Sequence, residues 1–144
     1  MSIRRWAVSI PARPRARWWA LAVWIAAVLA LSLLPGAYVP RVRVEWISAS
    51  AHIVMYAIMA ALALRAAEWP CPTCGVVVTV ACGALGAVLE VVQELVPGRY
   101  GDPLDALANI IGAAVASFVW LALAMRTRRL AGGGPGGGAS SPDD

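Results

Sequence analysis

Four long apolar segments alternate with short polar or charged ones along this chain. The apolar segments cover residues 18–34, 47–64, 73–96 and 104–125. A helix needs about 17 to 25 residues to cross a hydrocarbon core about 30 Å thick, and each segment is of that order. The segments are continuous and rich in Ala, Leu and Val, whereas strands of a membrane barrel alternate apolar and polar residues. The sequence therefore predicts an all-α polytopic membrane protein, a bundle of four transmembrane helices.

Composition supports a membrane environment. Of the 144 residues, 60% are apolar and only 14% are charged, and the mean hydropathy is +0.71. A soluble domain of this size buries only about two-thirds of the surface of its unfolded chain. Too much apolar surface would then face water, so we expect the lipid bilayer to be the main partner.

The arginines predict the orientation. All 12 basic residues are arginines, and a four-helix topology places nine of them on one side of the membrane and three on the other. By the positive-inside rule, both termini are cytoplasmic and the hairpin between the third and fourth helices faces outward. We expect a multi-pass protein of the bacterial cytoplasmic membrane. The net charge of +4 then reflects topology, and no nucleic-acid partner is predicted.

Three regions follow from this topology. Residues 1–17 are predicted to be a basic cytoplasmic tail, and residues 18–125 the transmembrane domain. Residues 126–144 are basic and then glycine-rich, so we expect a disordered cytoplasmic tail that cannot bury a core. The first apolar segment lacks a convincing small-x-small cleavage site after it, so we expect it to be retained as an anchor.

Polar and small residues share one face of the third and fourth helices. They recur at steps of three and four residues, the helical spacing, in the sets Gly83, Gly86, Glu90 and Gln93 and then Asp105, Asn109 and Gly112. Small residues allow the backbones of membrane helices to approach closely. We therefore predict that the three glycines pack helices and that the acidic and amide groups meet near the hairpin.

The polar residues of three helices are predicted to form one outward-facing site. An ionised carboxylate deep in a membrane costs roughly 2.5 to 3.5 kcal/mol, so Glu90 needs an interfacial position or a partner. The candidate ligand-binding residues lie near the outer ends of their helices or in the hairpin: His52, Tyr56, Glu90, Gln93, Arg99, Asp105 and Asn109. A purely structural role is the alternative, in which Arg99 neutralises Glu90 or Asp105 while His52 and Asn109 join helices.

The three cysteines are predicted to carry no chemistry. Cys71-Pro72-Thr73-Cys74 lacks the second pair of ligands that a zinc site needs and the strand–helix context of a thioredoxin. Its loop is predicted to be cytoplasmic, where thiols stay reduced, and Cys82 is expected to pack inside a helix. One histidine and a few carboxylates make a poor transition-metal set. No metal and no cofactor are predicted, although binding of a hard cation by the carboxylates is an open alternative.

Several of these residues together resemble the VanZ-like family of small bacterial membrane proteins. The resemblance covers about residues 30–116 and rests on Leu34-Pro35, His52-x3-Tyr56, Glu90-x2-Gln93, Pro97-Gly98-Arg99, Asp105-x3-Asn109 and Gly112. The chain differs from the family at Ser48 and Ala49, where an acidic residue and a lysine are common. The resemblance implies a role in lowering sensitivity to glycopeptide antibiotics of the teicoplanin type.

Two classes of function are consistent with these features. The first, which we favour, is a non-enzymatic envelope protein whose outer polar site binds a lipid-linked cell-wall precursor, a glycopeptide or another amphiphilic ligand. The second is a membrane enzyme acting on a lipid or cell-wall precursor head group, with His52 and Glu90 as acid and base and Arg99 holding a phosphate or carboxylate. No catalytic nucleophile is identifiable. A small transporter ranks third, because four helices leave little room for a pore unless the protein forms a homo-oligomer.

Overall fold

The described part of the chain is helical throughout. A computed structural model describes residues 14–38, 45–68 and 71–132, and in these ranges it contains no strand. The helices are α1 (Pro14–Ser32), α2 (Glu45–Ala67), α3 (Pro72–Gln93) and α4 (Pro103–Gly132), with a short 3-10 turn at Gly36–Tyr38. The prediction of an all-α fold is confirmed.

All four helices are long and apolar enough to cross a membrane. Only 17% to 33% of each candidate span is buried inside the protein, so most apolar side chains point outward. Val91 is 66% exposed and Phe118 is 74% exposed. A monomeric soluble protein rarely shows so much contiguous apolar surface, whereas lipid covers it without cost. The architecture is that of a multi-pass membrane protein.

Helix α4 makes the most extensive contacts in the described bundle. It packs against α2 and α3, while α1 packs chiefly against α2. The Trp24 indole Nε1–H of α1 donates a hydrogen bond to the Met55 carbonyl of α2 over 3.0 Å. Val28, Tyr56, Leu64 and Ala113 lie in the hydrophobic core. Helix α4 thus completes the contact surfaces of α2 and α3.

Hydrogen bonds define both ends of the turn between α3 and α4. Helix α3 ends at Gln93, three residues earlier than predicted, because the next three amides donate to carbonyls only three residues back, the tighter 3-10 pattern. Asp102 begins the next helix: its Oδ1 accepts from the Leu104 amide over 2.8 Å. Pro103 is the first residue of α4. An acidic N-cap followed by proline at the first helical position is a favourable start for a helix.

Three helices extend beyond the predicted segments by two residues or more. Helix α1 begins at Pro14, α2 covers Glu45–Ala67 and α4 continues to Gly132, so the predicted end of the fourth segment at residue 125 is wrong. Arginine, methionine, leucine and alanine are good helix formers, and a charged segment can therefore prolong a membrane helix into water. Residues 1–13 and 133–144 of the predicted tails, and 39–44 of the first loop, lie outside the described residues.

Two cysteines form a disulfide. Cys71 and Cys74 are bonded, with their Cα atoms 5.3 Å apart, so the prediction of reduced thiols is wrong for this structure. The reason is local: Cys71 is the extended N-cap of α3, and the first helical turn folds Cys74 back to the short separation that a disulfide needs. Cys82 is free and buried, as expected.

Candidate functional site

Glycines bring the helices together around the polar residues. A Cβ atom at Gly86 of α3 would lie 2.5 Å from Asn109 Nδ2 and 2.8 Å from Asn109 Cβ of α4. A Cβ at Gly112 would collide with the backbone carbonyl of Ile53 in α2. Because neither glycine has a side chain, α4 approaches α3 and α2 closely enough for short polar side chains to meet across the bundle.

His52 of α2 connects to two residues of α4. Its Nδ1–H donates to Asn109 Oδ1 over 2.9 Å, since an amide oxygen can only accept. On the other side of the ring, Nε2 lies 3.5 Å from Asp105 Oδ2. Asp105 and Asn109 are one helical turn apart, so a single imidazole spans both.

Glu90 of α3 faces the same imidazole. Its Oε1 lies 4.0 Å from His52 Nδ1, and its Oε2 accepts a hydrogen bond from the Asp102 backbone amide over 3.0 Å. The start of α4 thereby fixes one carboxylate oxygen of Glu90. The other oxygen is directed toward the histidine.

Ser48 completes the set and was not among the predicted site residues. Its hydroxyl donates to Asp105 Oδ2 over 2.8 Å. Ser48 precedes His52 by four residues, and this helical spacing was the available signal in the sequence. We refer to five residues as the polar cluster: Ser48, His52, Glu90, Asp105 and Asn109.

The polar cluster is buried and has an excess of acidic groups. His52, Glu90 and Asp105 are 8%, 7% and 9% exposed, and Asn109 is 1% exposed. Two carboxylates therefore share one imidazole. Among the described side chains, His52 is the only basic group within ion-pair distance of either carboxylate. Even a protonated histidine would leave one net negative charge in the ionised cluster.

The remaining three predicted residues lie outside this network. Tyr56 is 1% exposed and belongs to the hydrophobic core. Gln93 is 2% exposed, and its Nε2 has no hydrogen-bond partner in the described structure. Arg99 is half-buried and forms no ion pair with Glu90 or Asp105, so the expected alternative in which Arg99 neutralises them is not observed.

The arrangement has the donor atoms for cation binding or proton transfer. One ligand atom from each of His52, Glu90 and Asp105 lies within 4.8 Å of the other two. Each residue comes from a different helix. Ligand binding by the predicted residues stays a prediction, but four of the seven are now known to be neighbours.

No protein-family model, curated protein or solved structure matches this chain. The VanZ-like resemblance stays a prediction. The geometry of the polar cluster is therefore the main basis for a functional hypothesis.

Proposed function

We propose that this chain is a membrane protein of the bacterial cell envelope whose polar cluster binds the head group of a lipid-linked or amphiphilic ligand. The observation that carries the proposal is the meeting of His52, Glu90 and Asp105, from three helices, within 4.8 Å. Such residues are rare inside membrane proteins, and there they most often mark ligand or ion pathways.

The charges favour a site over a purely structural cluster. A network that only holds helices together is most stable when its charges cancel and every buried polar atom is paired. Here two buried carboxylates face one imidazole, and the buried Gln93 Nε2 has no partner. An ionised carboxylate pair would be stabilised by a bound group that carries positive charge or donates hydrogen bonds.

The orientation and the family resemblance suggest which ligands to test. The cluster lies at the end of the bundle that holds the α3–α4 turn, and the arginine distribution favours an outward position for that end. Head groups of the outer leaflet would then reach it. Together with the VanZ-like resemblance, this access suggests that the protein lowers the sensitivity of the cell to teicoplanin-type glycopeptides. It would do so by binding a ligand that these antibiotics also bind.

The test is antibiotic sensitivity at matched protein level. Cells expressing the wild-type chain should tolerate more teicoplanin than cells lacking the gene, with vancomycin as a comparison. Glu90→Gln and Asp105→Asn should lose the effect while immunoblots show normal amounts of protein. Thr79→Val is the control, since the Thr79 hydroxyl bonds Ser117 and Gly75, 11 residues from Glu90. Unchanged tolerance in both site variants would contradict the proposal.

An enzyme acting on a lipid or cell-wall head group is the second candidate. The supporting observation is the 4.0 Å separation between His52 Nδ1 and Glu90 Oε1, near the range in which acid and base act through a small shift or a water. In this case Glu90→Gln should abolish turnover and leave binding nearly intact. Identical envelope lipid profiles with and without the overproduced wild type would argue against catalysis.

A further inference from the structure

His52 and Asp105 have the spacing of two ligands of one metal ion, and Glu90 lies beside them. The 3.5 Å between His52 Nε2 and Asp105 Oδ2 is long for a hydrogen bond between charged groups. It is close to the separation of about 3.0 to 3.4 Å between two neighbouring ligands that are each about 2.1 Å from one metal ion. One ligand atom from each of the three residues lies within 4.8 Å of the other two.

An Nδ1–H that donates to the Asn109 amide oxygen gives the tautomer that metal binding through Nε2 requires. Since Nδ1–H donates to Asn109 Oδ1, the lone pair of a neutral ring is on Nε2, which faces Asp105. Metal-binding histidines commonly donate their other ring N–H to an oxygen in this way, which fixes the orientation of the ring. Asn109 therefore has the role of an orienting residue.

Both carboxylates are also oriented by a donor. The Asp102 backbone amide holds Glu90 Oε2 and leaves Oε1 directed toward the histidine. The Ser48 hydroxyl holds Asp105 Oδ2. Three possible ligands, each fixed by one hydrogen bond with a neighbouring group, form a prepared coordination shell.

We propose that His52, Glu90 and Asp105 bind a divalent first-row metal ion such as Zn²⁺ or Mn²⁺. The sequence alone suggested a poor transition-metal set, but the fold brings a nitrogen ligand beside two carboxylates. This mixed set suits these ions better than Ca²⁺ and Mg²⁺, which prefer oxygen ligands alone. The ion compensates the excess negative charge of the polar cluster. Three protein ligands leave at least one coordination position open.

The metal also explains how an anionic head group could bind. This step rests on the proposed function, because it takes the polar cluster as the head-group site. Two carboxylates would repel a phosphate, whereas a divalent ion bound to them presents positive charge and an open position for a phosphate oxygen. We infer that the ligand is a phosphate-bearing lipid held through the metal.

The test is metal binding by the purified full-length chain in detergent or nanodiscs. After chelator treatment and dialysis, Zn²⁺ is titrated in competition with a chromophoric chelator, and Mn²⁺ binding is followed by electron paramagnetic resonance. We expect one ion per chain. His52→Ala, Glu90→Gln and Asp105→Asn should each weaken binding at least tenfold, and Asn109→Ala about 10- to 100-fold, as is usual for residues that orient ligands.

Two controls make the result specific. Thr79→Val should bind as the wild type does, and so should Cys71→Ser combined with Cys74→Ser, which removes the other possible zinc ligands. A wild type that binds no ion would overturn the proposal, and so would binding that survives both His52→Ala and Glu90→Gln. That wild-type measurement does not depend on whether any variant folds.

Lipid binding separates the two proposals. A photoactivatable phospholipid should crosslink to the metal-loaded wild type and much less after chelation. Crosslinking that persists in chelator would overturn the metal-bridged ligand and leave the head-group site intact. Stoichiometric metal binding with no lipid crosslinking under either condition would support the metal site and contradict the proposed function.

Discussion

His52 and Asn109 form a 2.9 Å hydrogen bond between α2 and α4 although 57 residues separate them in the chain. Both side chains are buried, so this bond fixes the rotation of one helix relative to the other at the level of the polar cluster. The two residues therefore set the positions of the carboxylates that surround the imidazole.

The first prediction concerns the strength of this pair. Hydrogen bonds between membrane helices couple by about 0.6 kcal/mol on average and up to about 1.7. A double-mutant cycle with His52→Ala and Asn109→Ala should give about 1 kcal/mol, measured by unfolding in mixed SDS micelles with chelator present. As a control, His52→Ala with Ser117→Ala should be additive within about 0.5 kcal/mol. Additivity in the His52–Asn109 cycle would mean that the bond contributes nothing to stability.

The second prediction concerns the contact between α3 and α4. In Gly86→Ala the new Cβ would lie 2.5 Å from Asn109 Nδ2, so α4 must shift, and overpacking of this kind costs about 1 to 3 kcal/mol. Gly75→Ala is the matched control on the same helix, because its Cβ would have no neighbour closer than 3.5 Å. The same unfolding assay should show a loss for Gly86→Ala alone. Equal stability of the two variants would contradict the close approach.

The third prediction concerns the contact between α2 and α4. Gly112→Ala should destabilise the bundle more than Gly86→Ala, because its Cβ would meet the Ile53 backbone carbonyl. Backbone atoms cannot rotate away as a side chain can. We expect a loss at the upper end of the range of about 1 to 3 kcal/mol, or failure to accumulate in the membrane. A wild-type yield and midpoint for Gly112→Ala would show that the helices are further apart.

The fourth prediction concerns orientation. The arginine distribution places the Cys71–Cys74 loop in the cytoplasm, whereas a stable disulfide is typical of oxidising compartments. We expect the arginines to determine the orientation, because each charge opposes translocation across the membrane. The disulfide is weaker evidence, because cysteines held 5.3 Å apart pair wherever an oxidant is present. In a Cys82→Ala background, both thiols should react in cells with a membrane-permeant maleimide and not with an impermeant one. Impermeant labelling that appears only after reduction would indicate the reversed orientation.

The sequence was sufficient to predict the helices and the general position of the polar residues. Continuous apolar segments define membrane helices well, and the short connection between the third and fourth segments makes α3 and α4 neighbours. Helix ends were harder to predict. The first turn of α1 and the last turns of α4 are charged or amphipathic, and hydropathy does not distinguish a helix that continues into water from a tail.

Individual contacts at the site could not be predicted from spacing. Ser48 looked like a departure from a family pattern, yet it donates to Asp105, because its partner is set by how α2 and α4 pack and not by its own neighbours. Arg99 looked like the natural partner of Glu90, but the Asp102 backbone amide has that position. Backbone donors at a helix start have no sequence signature beyond the cap itself.

Because α4 supplies the partners of His52 and Glu90, the order in which the helices are synthesised matters. His52 and Glu90 enter the bilayer on the second and third helices, before Asp105, Asn109 and the Asp102 amide have left the ribosome. Until the fourth helix arrives, the nascent chain holds an unpaired carboxylate and imidazole near hydrocarbon. If synthesis stops after α3, the truncated chain would therefore expose unpaired polar groups that membrane quality control can recognise. Insertion of α4 supplies their partners and removes this signal.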